Sequence, residues 1–289
     1  MNILSINFKL LVLLFLVLLF FASNSLFARA AIKTEDIDFL SYTFLRVFFA
    51  MLVLLIIYFY KNKNLKISLK SGFLSGFMFF LYAICFSYSY INMEAGLGTL
   101  ILFAVVQLSM ILIAIFYGEK LSFNKFFGVL IAFLGLSYIL YPKQTFDLSY
   151  FHTFLMFLSA IGWAIFSVIG KKSKSAINNA TSSFVFATIY TLVFAIFYLL
   201  FVDFELILTF YTSFLAFLSG AITTAFGVFL WYFVLPKIEI MVASVVQLIV
   251  PVIAIFLSIV FLDEKLSFEL VFATTVILLG IYLALYKKA

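Results

Sequence analysis

The chain has 289 residues, of which 67% are hydrophobic and only 10% are Asp, Glu, Lys or Arg. This number of charged side chains is too small to cover the surface of a water-soluble domain of this length. The composition therefore excludes a soluble fold and predicts an integral membrane protein. The net charge of +6 comes from short basic clusters between apolar stretches, without interleaved aromatic residues, and we therefore expect no nucleic-acid partner.

Ten apolar stretches are long enough to cross a bilayer, which takes about 20 residues in a helix. Backbone polar groups in lipid must bond internally, so we expect each stretch to be helical and the fold to be all-α. The predicted transmembrane helices are 9–30, 38–60, 70–91, 95–117, 122–141, 149–171, 180–201, 206–234, 240–262 and 266–286.

The Lys and Arg residues predict the orientation, because cytoplasmic loops are enriched in them. With the N-terminus inside, the inner loops hold 13 Lys and Arg residues. The outer loops then hold four, namely Arg29, Lys33, Lys143 and Lys265. We therefore expect a multi-pass protein of the cell (inner) membrane with both termini in the cytoplasm.

The pentad Glu-Lys-Leu-Ser-Phe occurs twice, at residues 119–123 and 264–268. At the same offset of 145 residues, Gly135 matches Gly280 and Tyr141 matches Tyr286. The chain is therefore predicted to contain two versions of one five-helix unit, residues 1–143 and 144–289. Because each unit has an odd number of helices, the fold we predict is ten transmembrane helices arranged as two inverted five-helix repeats.

The first predicted helix has a second interpretation, as a secretory signal peptide, because Lys9 precedes an apolar run and Ala28-Arg29-Ala30 resembles a cleavage site. Its removal would leave nine helices and break the division into two equal halves. We therefore expect this helix to be retained.

For the repeated pentad we favour a structural role over a coupling or gating role. Ser122 and Ser267 are placed to cap the helix that follows each copy. Glu119 and Glu264 are expected to lie near the same positive helix start.

Short motifs along the ten predicted helices resemble those of a known family. They include Ser23-Asn24-Ser25-Leu26-Phe27, Phe44-Leu45-Arg46, Gly162-Trp163-Ala164, Leu230-Trp231-Tyr232 and Val245-Val246-Gln247-Leu248. With Glu-Lys-Leu-Ser between the fourth and fifth helix of each half, the chain resembles, over nearly its full length, the EamA-type members of the drug/metabolite transporter superfamily. The resemblance implies a secondary carrier that moves small metabolites, often amino acids or related compounds, by alternating access through a central cavity between the halves.

Arg46 is the charged residue that lies well inside a predicted span. Its guanidinium cannot lose its proton, and its planar fork suits a substrate carboxylate or another anionic group. Alternatively, Arg46 pairs with Glu94 or extends to the outer interface past Asp36 and Asp38. The sequence leaves both interpretations open.

Gln107 and Gln247 both lie in the tetrad Val-Val-Gln-Leu, but the tetrads are 140 residues apart and the pentads 145. Five residues correspond to about 7.5 Å along a helix, so the two amides are not equivalent in an ungapped repeat. Either one lines the cavity and the other bridges helices, or an irregularity realigns them, for which Pro251 favours the ninth helix. We favour both glutamines as cavity or near-cavity residues, against interhelical hydrogen bonding.

Three further residues complete the candidate substrate-binding set. Asn24 lies in a polar patch of the first helix, where it faces the substrate or bonds to a neighbouring helix, and we favour the second. Tyr82 lies in a glycine-containing third helix, whose Gly72-x-x-x-Gly76 pattern we assign to contacts within one chain. Trp163 stacks on a substrate or fills the space beside its neighbouring glycine. Trp231 and Tyr232, in contrast, are predicted in the aromatic belt at the inner interface.

The sequence offers little for catalysis. His152 is the single histidine and Cys85 the single cysteine, so we predict no catalytic residue, no metal site and no cofactor. Gly170-Lys171-Lys172 lacks the pattern of a phosphate-binding loop, so transport is expected without ATP and driven by a gradient of substrate, proton or ion. The alternative class is a non-transporting membrane scaffold or an intramembrane enzyme, and an enzyme would need several convergent buried acid or base groups.

Overall fold

The computed structural model describes residues 8–62, 69–118, 123–140, 149–173, 175–202, 205–247 and 249–285. Within these ranges the secondary structure is helical, apart from an isolated bridge between Ile37 and Leu208, which confirms the all-α prediction. The helices are α1 (Phe8–Ile32), α2 (Phe39–Asn62), α3 (Leu69–Ser89), α4 (Ala95–Phe116), α5 (Phe123–Leu140), α6 (Tyr150–Lys171), α7 (Ala176–Phe201), α8 (Phe210–Lys237), α9a (Ile240–Val246), α9b (Ile249–Leu262) and α10 (Phe268–Leu285).

Seven helices of the described residues are long and apolar enough to cross a membrane, namely α1, α2, α3, α4, α6, α7 and α8. Shorter apolar helices occupy Phe126–Gly135, Ile249–Leu262 and Phe268–Gly280 in α5, α9b and α10. Large apolar side chains such as Phe116, Leu200 and Phe210 are exposed, as lipid contact requires. The chain is thus a multi-pass membrane protein, and the count of ten spans stays a prediction.

Two helices begin away from their predicted starts because hydroxyl side chains cap them. The α7 helix begins before residue 180, since Ser175 Oγ accepts a hydrogen bond from Asn178 N at 3.4 Å. The α8 helix begins after residue 206, since Thr209 Oγ1 accepts from Thr212 N at 3.4 Å. Short capping residues inside apolar sequence therefore define these boundaries better than hydropathy does.

The helix contacts relate the two halves of the chain. The α3 helix packs on α6 and α7, and α8 packs on α1 and α2. In the repeat, α3 corresponds to α8, α6 to α1 and α7 to α2, so the two sets of contacts are equivalent. The pair α4 with α6 and the pair α9b with α1 correspond in the same way.

The fifth and tenth helices pack directly on each other through the glycines that the repeat equates. A Cβ atom added to Gly135 would lie 2.9 Å from Ile277 Cγ1, and one added to Gly280 would collide with the Ala132 backbone. Gly135 of α5 lies beside Ile277 of α10, and the earlier residue Ala132 lies beside the later residue Gly280. The two helices are therefore antiparallel.

The connections between helices form two groups. At the first end of the bundle the α1–α2 connection meets the α7–α8 connection, where Asp38 N donates to Ile207 O at 3.2 Å. At the second end the α4–α5 and α6–α7 connections meet, with Lys172 Nζ 3.7 Å from the centroid of the Tyr117 ring. If the helices run alternately up and down, the two connections at each end are expected on the same side of the membrane, and here they lie at the same end of the bundle.

The second pentad differs in part from its prediction. Ser267 Oγ accepts a hydrogen bond from Leu270 N at 3.1 Å, so its predicted cap of α10 is confirmed. In the first pentad, residues 119–122, which include Glu119 and Ser122, lie outside the described residues. The expectation that Glu264 serves the start of α10 is wrong. Its carboxylate accepts from Ala95 N at 2.7 Å and Gly96 N at 3.1 Å, at the start of α4. Glu94, at the capping position of α4, makes no side-chain cap, so these orphan amides are open to an acceptor from the α9–α10 connection.

Replacing Glu264 with glutamine is expected to destabilise the protein by about 1 kcal/mol, because an amide has one acceptor oxygen for two helix amides and carries no charge toward the positive helix start. Unfolding of the detergent-solubilised protein by a denaturing detergent, followed by circular dichroism, measures this loss. Asp263→Asn is the matched control, and equal stability of the two variants would contradict the capping role.

The predicted aromatic belt at the end of α8 is also corrected. Trp231 and Tyr232 are 0% and 1% exposed. Trp231 Nε1 donates to Ser167 Oγ at 3.2 Å, and the Tyr232 hydroxyl donates to Phe166 O at 3.1 Å. Both polar tips thus find partners inside the protein, which removes their reason to lie at an interface.

The small-residue pattern in α3 serves contacts within the chain, as predicted. A Cβ atom on Gly72 would lie 2.9 Å from Ser182 Cβ, and one on Gly76 would lie 2.7 Å from Ser183 O. Both glycines therefore allow close packing of α3 on α7.

Candidate functional site

A narrow cavity lies between α1, α3, α4, α6 and α8, so both halves of the chain form its wall. In this conformation it has room for about one water molecule. Three of the six predicted site residues line it, namely Asn24, Tyr82 and Trp163. Apolar and aromatic side chains, including Phe21 and Phe86, form most of the remaining wall.

Aromatic rings pack edge to face and at tilted angles around the cavity. The Trp163 ring lies 4.9 Å from that of Phe21 and 5.0 Å from that of Tyr82, measured between centroids. The Tyr82 ring in turn lies 5.2 Å from that of Phe86. The rings therefore contact one another and form a continuous aromatic wall on this side of the cavity.

Arg46 lies behind two of these rings. Its side chain is 0% exposed, and its Cζ atom lies 5.3 Å from the Tyr82 ring centroid and 4.8 Å from that of Phe86. Its three guanidinium nitrogens form no hydrogen bond of good geometry with the described residues, although the Tyr42 and Tyr82 hydroxyls lie close enough to interact with the guanidinium. Pairing with Glu94 and extension to the interface, the two structural alternatives, are both absent from this arrangement of described residues.

Asn24 is the centre of a buried polar cluster that connects α1 to α8. Its Oδ1 atom accepts from the hydroxyls of Ser219 at 2.9 Å, Thr223 at 2.7 Å and Thr224 at 3.0 Å. Ser219 Oγ also accepts from the Tyr42 hydroxyl of α2 at 3.0 Å. The favoured interpretation of Asn24 as a helix-bridging residue agrees with these bonds, and the same residue lines the cavity.

A π-helical stretch, Leu218–Thr224, makes this cluster possible. In an α-helix, Ser219 and Thr224 would lie about 140° apart around the axis at 100° per residue. The i to i+5 bonding of a π-helix brings residues five apart onto one face, and such stretches are frequent at functional sites. The sequence signal was three hydroxyl residues, 219, 223 and 224, inside an apolar span, and our predictions missed it because they assumed α-helical geometry.

Gln247 supports the indole of Trp163. Gln247 Oε1 accepts from Trp163 Nε1 at 2.9 Å, and its Nε2 donates to Ala243 O at 3.1 Å. The side chain lies at the interruption between α9a and α9b, where Gln247 O accepts from Val250 N at 3.1 Å. The ninth helix is thus irregular just before Pro251, which is the place that the second alternative favoured, and the realignment of the two glutamines stays a prediction.

Gln107 bonds between helices. Its Nε2 donates to Ser244 Oγ of α9a at 3.0 Å, and its Oε1 is buried with no partner among the described residues. Neither Gln107 nor Gln247 is part of the cavity wall in this conformation. Gln247 reaches the cavity only through Trp163, and a direct substrate contact for either amide stays a prediction.

A cluster of charges lies at the first end of the bundle. Arg29 Nη1 donates to Tyr90 O at 2.7 Å and to Ile91 O at 3.0 Å. The pKa of Glu94 is raised above its ordinary value, mainly by burial and to a smaller extent by the nearby Glu264 carboxylate. The positive charge of Arg29 opposes this shift. The charged form of Glu94 is therefore disfavoured in the fold, and this unfavourable contribution disappears as the pH falls below the ordinary glutamate pKa.

Comparison with known proteins places the chain in a family. The model of the EamA-like transporter family matches residues 8–141 and again residues 151–286. An uncharacterized protein of Pseudomonas aeruginosa is 33% identical over 96% of this chain and 95% of its own length. An uncharacterized transporter of Archaeoglobus fulgidus is 28% identical over 72% of this chain and 74% of its own, and the uncharacterized transporter YoaV of Bacillus subtilis is 23% identical over 86% and 88%.

A solved crystal structure has the same fold, with a TM-score of 0.69 at 16% identity and coverage of 96% of both chains. At this identity the likeness concerns the fold alone. The two family matches cover almost the whole sequence, one in each half. The chain therefore belongs to the EamA-like transporter family, within the drug/metabolite transporter superfamily.

Proposed function

We propose that the protein is a secondary transporter that carries a small organic metabolite by alternating access through the cavity between its halves. The observation that carries this proposal is the guanidinium of Arg46, which has no acidic partner among the described residues and is buried beside a cavity to which both halves contribute. Ionisable groups buried in a membrane are costly, and their usual use is on a substrate or ion pathway.

The architecture we propose is ten transmembrane helices in two inverted halves, residues 1–143 and 144–289. The matched helix contacts and the antiparallel packing of α5 on α10 support the inversion. Inverted halves supply two related conformations, each closing one end of a central site, which is what alternating access requires.

Contacts join different helices at both ends of the bundle in this conformation. At the first end Tyr90 packs edge to face on Phe86 at 4.8 Å and is held by Arg29, while Glu264 ties the α9–α10 connection to α4. At the second end Lys171 Nζ donates to Leu235 O at 3.3 Å. Alternating access then consists of breaking one set of contacts while the other persists.

The substrate-binding residues we propose are Arg46, Tyr82, Trp163 and Asn24. Gln107 and Gln247 complete the set from behind the wall, Gln247 by orienting the Trp163 indole. A gradient of substrate, proton or ion supplies the energy. No group of three or more His, Cys, Asp or Glu residues suited to a metal ion occurs in the described part of the chain.

Transport by the purified protein in proteoliposomes tests this function. Vesicles loaded with one unlabelled metabolite are expected to accumulate the same labelled metabolite by counterflow, and the Arg46→Gln variant is expected to do so more slowly. Failure of every compound in a broad metabolite panel to move, with protein that is folded and inserted, would favour a scaffold instead.

Both termini are expected in the cytoplasm of the cell (inner) membrane, because the inner loops of this topology hold most of the Lys and Arg residues. Fluorescent protein fused to the C-terminus is expected to fluoresce, while alkaline phosphatase fused there is expected to be inactive. The same pair fused after Lys33 in truncated chains provides the control and should give the reverse result. Active phosphatase at the C-terminus would overturn the orientation.

A further inference from the structure

Arg46 carries a charge that the described protein does not neutralise. Its three nitrogens are buried and form no hydrogen bond of good geometry with the described residues, and the nearby Tyr42 and Tyr82 hydroxyls are not acidic side chains that could supply a countercharge. Acidic side chains of the described part lie at helix ends and connections, as with Asp38, Glu94 and Glu264. A buried charge without a partner is a substantial penalty to the fold, so its retention needs a compensating role.

Aromatic contact compensates only part of this penalty. Tyr82 and Phe86 each offer a ring face to the guanidinium, at 5.3 Å and 4.8 Å from Cζ. Cation–π contacts and the Tyr42 and Tyr82 hydroxyls leave the guanidinium without an anionic acceptor. The group is therefore preorganised to accept an anion, and planar oxyanions match its fork in a bidentate manner.

The same two rings place this cation at the cavity. Tyr82 and Phe86 contact the guanidinium and also form part of the cavity wall, so a ligand in the cavity lies one ring away from the charge. The rest of the wall includes Phe21 and Trp163, which suit an apolar or aromatic body. No described lining residue is an Asp or Glu that could pair with a ligand ammonium group.

We propose that the substrate is a small organic anion with one carboxylate-type head group and an apolar or aromatic body. It binds in a more open conformation, in which the Tyr82 and Phe86 rings move aside so that the head group reaches Arg46 and the body contacts Trp163 and Phe21. This inference rests on the proposed transport function and narrows it. A zwitterionic amino acid with the same body is a poorer ligand, because its ammonium group has no acidic partner in the described wall.

Fluorescence of Trp163 measures binding directly. The chain has two Trp residues, so a Trp231→Phe background leaves Trp163 as the reporter in the cavity. The probes are 3-phenylpropionate, its neutral amide and phenylalanine, which share one body and differ in charge. We expect 3-phenylpropionate to change the emission saturably and to bind about tenfold or more tightly than the other two.

Arg46 variants assign the preference to this residue. Arg46→Gln is expected to remove the preference for the carboxylate, and Arg46→Lys to keep it at reduced affinity, because an ammonium retains the charge and loses the planar fork. Lys33→Gln is the matched control, since it removes one positive charge from the exposed end of α1. Gel filtration verifies that each variant is folded.

Several outcomes would overturn the anion site. These are equal affinity for the amide or for phenylalanine in the background protein, an unchanged preference in Arg46→Gln, or no saturable response to 3-phenylpropionate at millimolar concentration. Counterflow separates this from the transport proposal. Transport of neutral compounds that is insensitive to Arg46→Gln would keep the transporter and overturn the anion site. Binding of the carboxylate without any transport would keep the site and contradict the transporter.

Discussion

Replacing Gly162 with alanine is expected to destabilise the protein by about 1–3 kcal/mol and to weaken transport at the same time. A Cβ atom at this position would lie 2.8 Å from Met78 O and 3.1 Å from Tyr82 N, both backbone atoms of α3. Backbone cannot move aside as a side chain can, so α6 must separate from α3. The separation would displace Trp163 from Tyr82, two residues of the cavity wall whose rings are in contact.

Gly227→Ala provides the matched control for this prediction. A Cβ atom there would lie 3.3 Å from Phe20 Cβ and from Phe21 Cε1, so its neighbours have to shift far less than the α3 backbone beside Gly162. Detergent unfolding gives the stability of both variants, and counterflow in proteoliposomes gives their transport rates. Equal losses in the two variants would show that α6 and α3 are not held together by the absence of a side chain at Gly162.

The elements of the fold were largely predictable because a bilayer imposes a simple rule on sequence. Long apolar stretches must be helical, and the described helices follow the predicted spans closely. The pairing of Gly135 with Gly280 in the repeat also predicted two equivalent helices, which the structure packs against each other. Pro251 favoured the ninth helix as the place of an irregularity, and the interruption lies there because a missing backbone donor acts within one turn.

The partners of individual polar groups were not predictable in the same way. Glu264 bonds to amides far away in the chain, and nothing near it in sequence identifies the start of α4 as its partner. Tryptophan is a residue type that is common at membrane interfaces, yet Trp231 is buried, because its burial depends on which face of its helix meets the protein. Sequence alone likewise could not decide whether Arg46 pairs with an acid, since that depends on helix rotation.

The candidate site shows the same division between local and tertiary information. Asn24, Tyr82 and Trp163 were identified as rare polar or aromatic groups near glycines and hydroxyls, and the structure brings them to one cavity. Their supports depend on irregular backbone, the π-helical stretch in α8 and the interruption in α9. Regular helical geometry, on which the sequence predictions relied, cannot place groups that an irregularity rotates.

The cluster around Asn24 gives the second large effect. Asn24→Leu is expected to destabilise the protein by about 2–3 kcal/mol, because it removes the buried acceptor shared by Ser219, Thr223 and Thr224. The Thr223 hydroxyl keeps an alternative bond to Ser219 O at 2.9 Å, so the other two hydroxyls account for most of the loss. Leucine preserves the approximate volume, which separates the polar effect from a cavity effect.

Ser23→Ala is the control for Asn24→Leu. Within the described part of the chain, the Ser23 hydroxyl bonds to Leu19 O, one turn back in its own helix, at 2.9 Å. Its loss is expected to change the free energy of unfolding by less than about 1 kcal/mol, since a backbone carbonyl inside a helix keeps its own partner. Both values come from reversible unfolding in mixed detergent. If Asn24→Leu were as stable as Ser23→Ala, the hydroxyls of α8 would have to find other acceptors, and the π-helical stretch would no longer depend on α1. The transport rate of Asn24→Leu then decides between the two uses of this side chain, because replacing a residue that only binds substrate would slow counterflow and leave the stability unchanged.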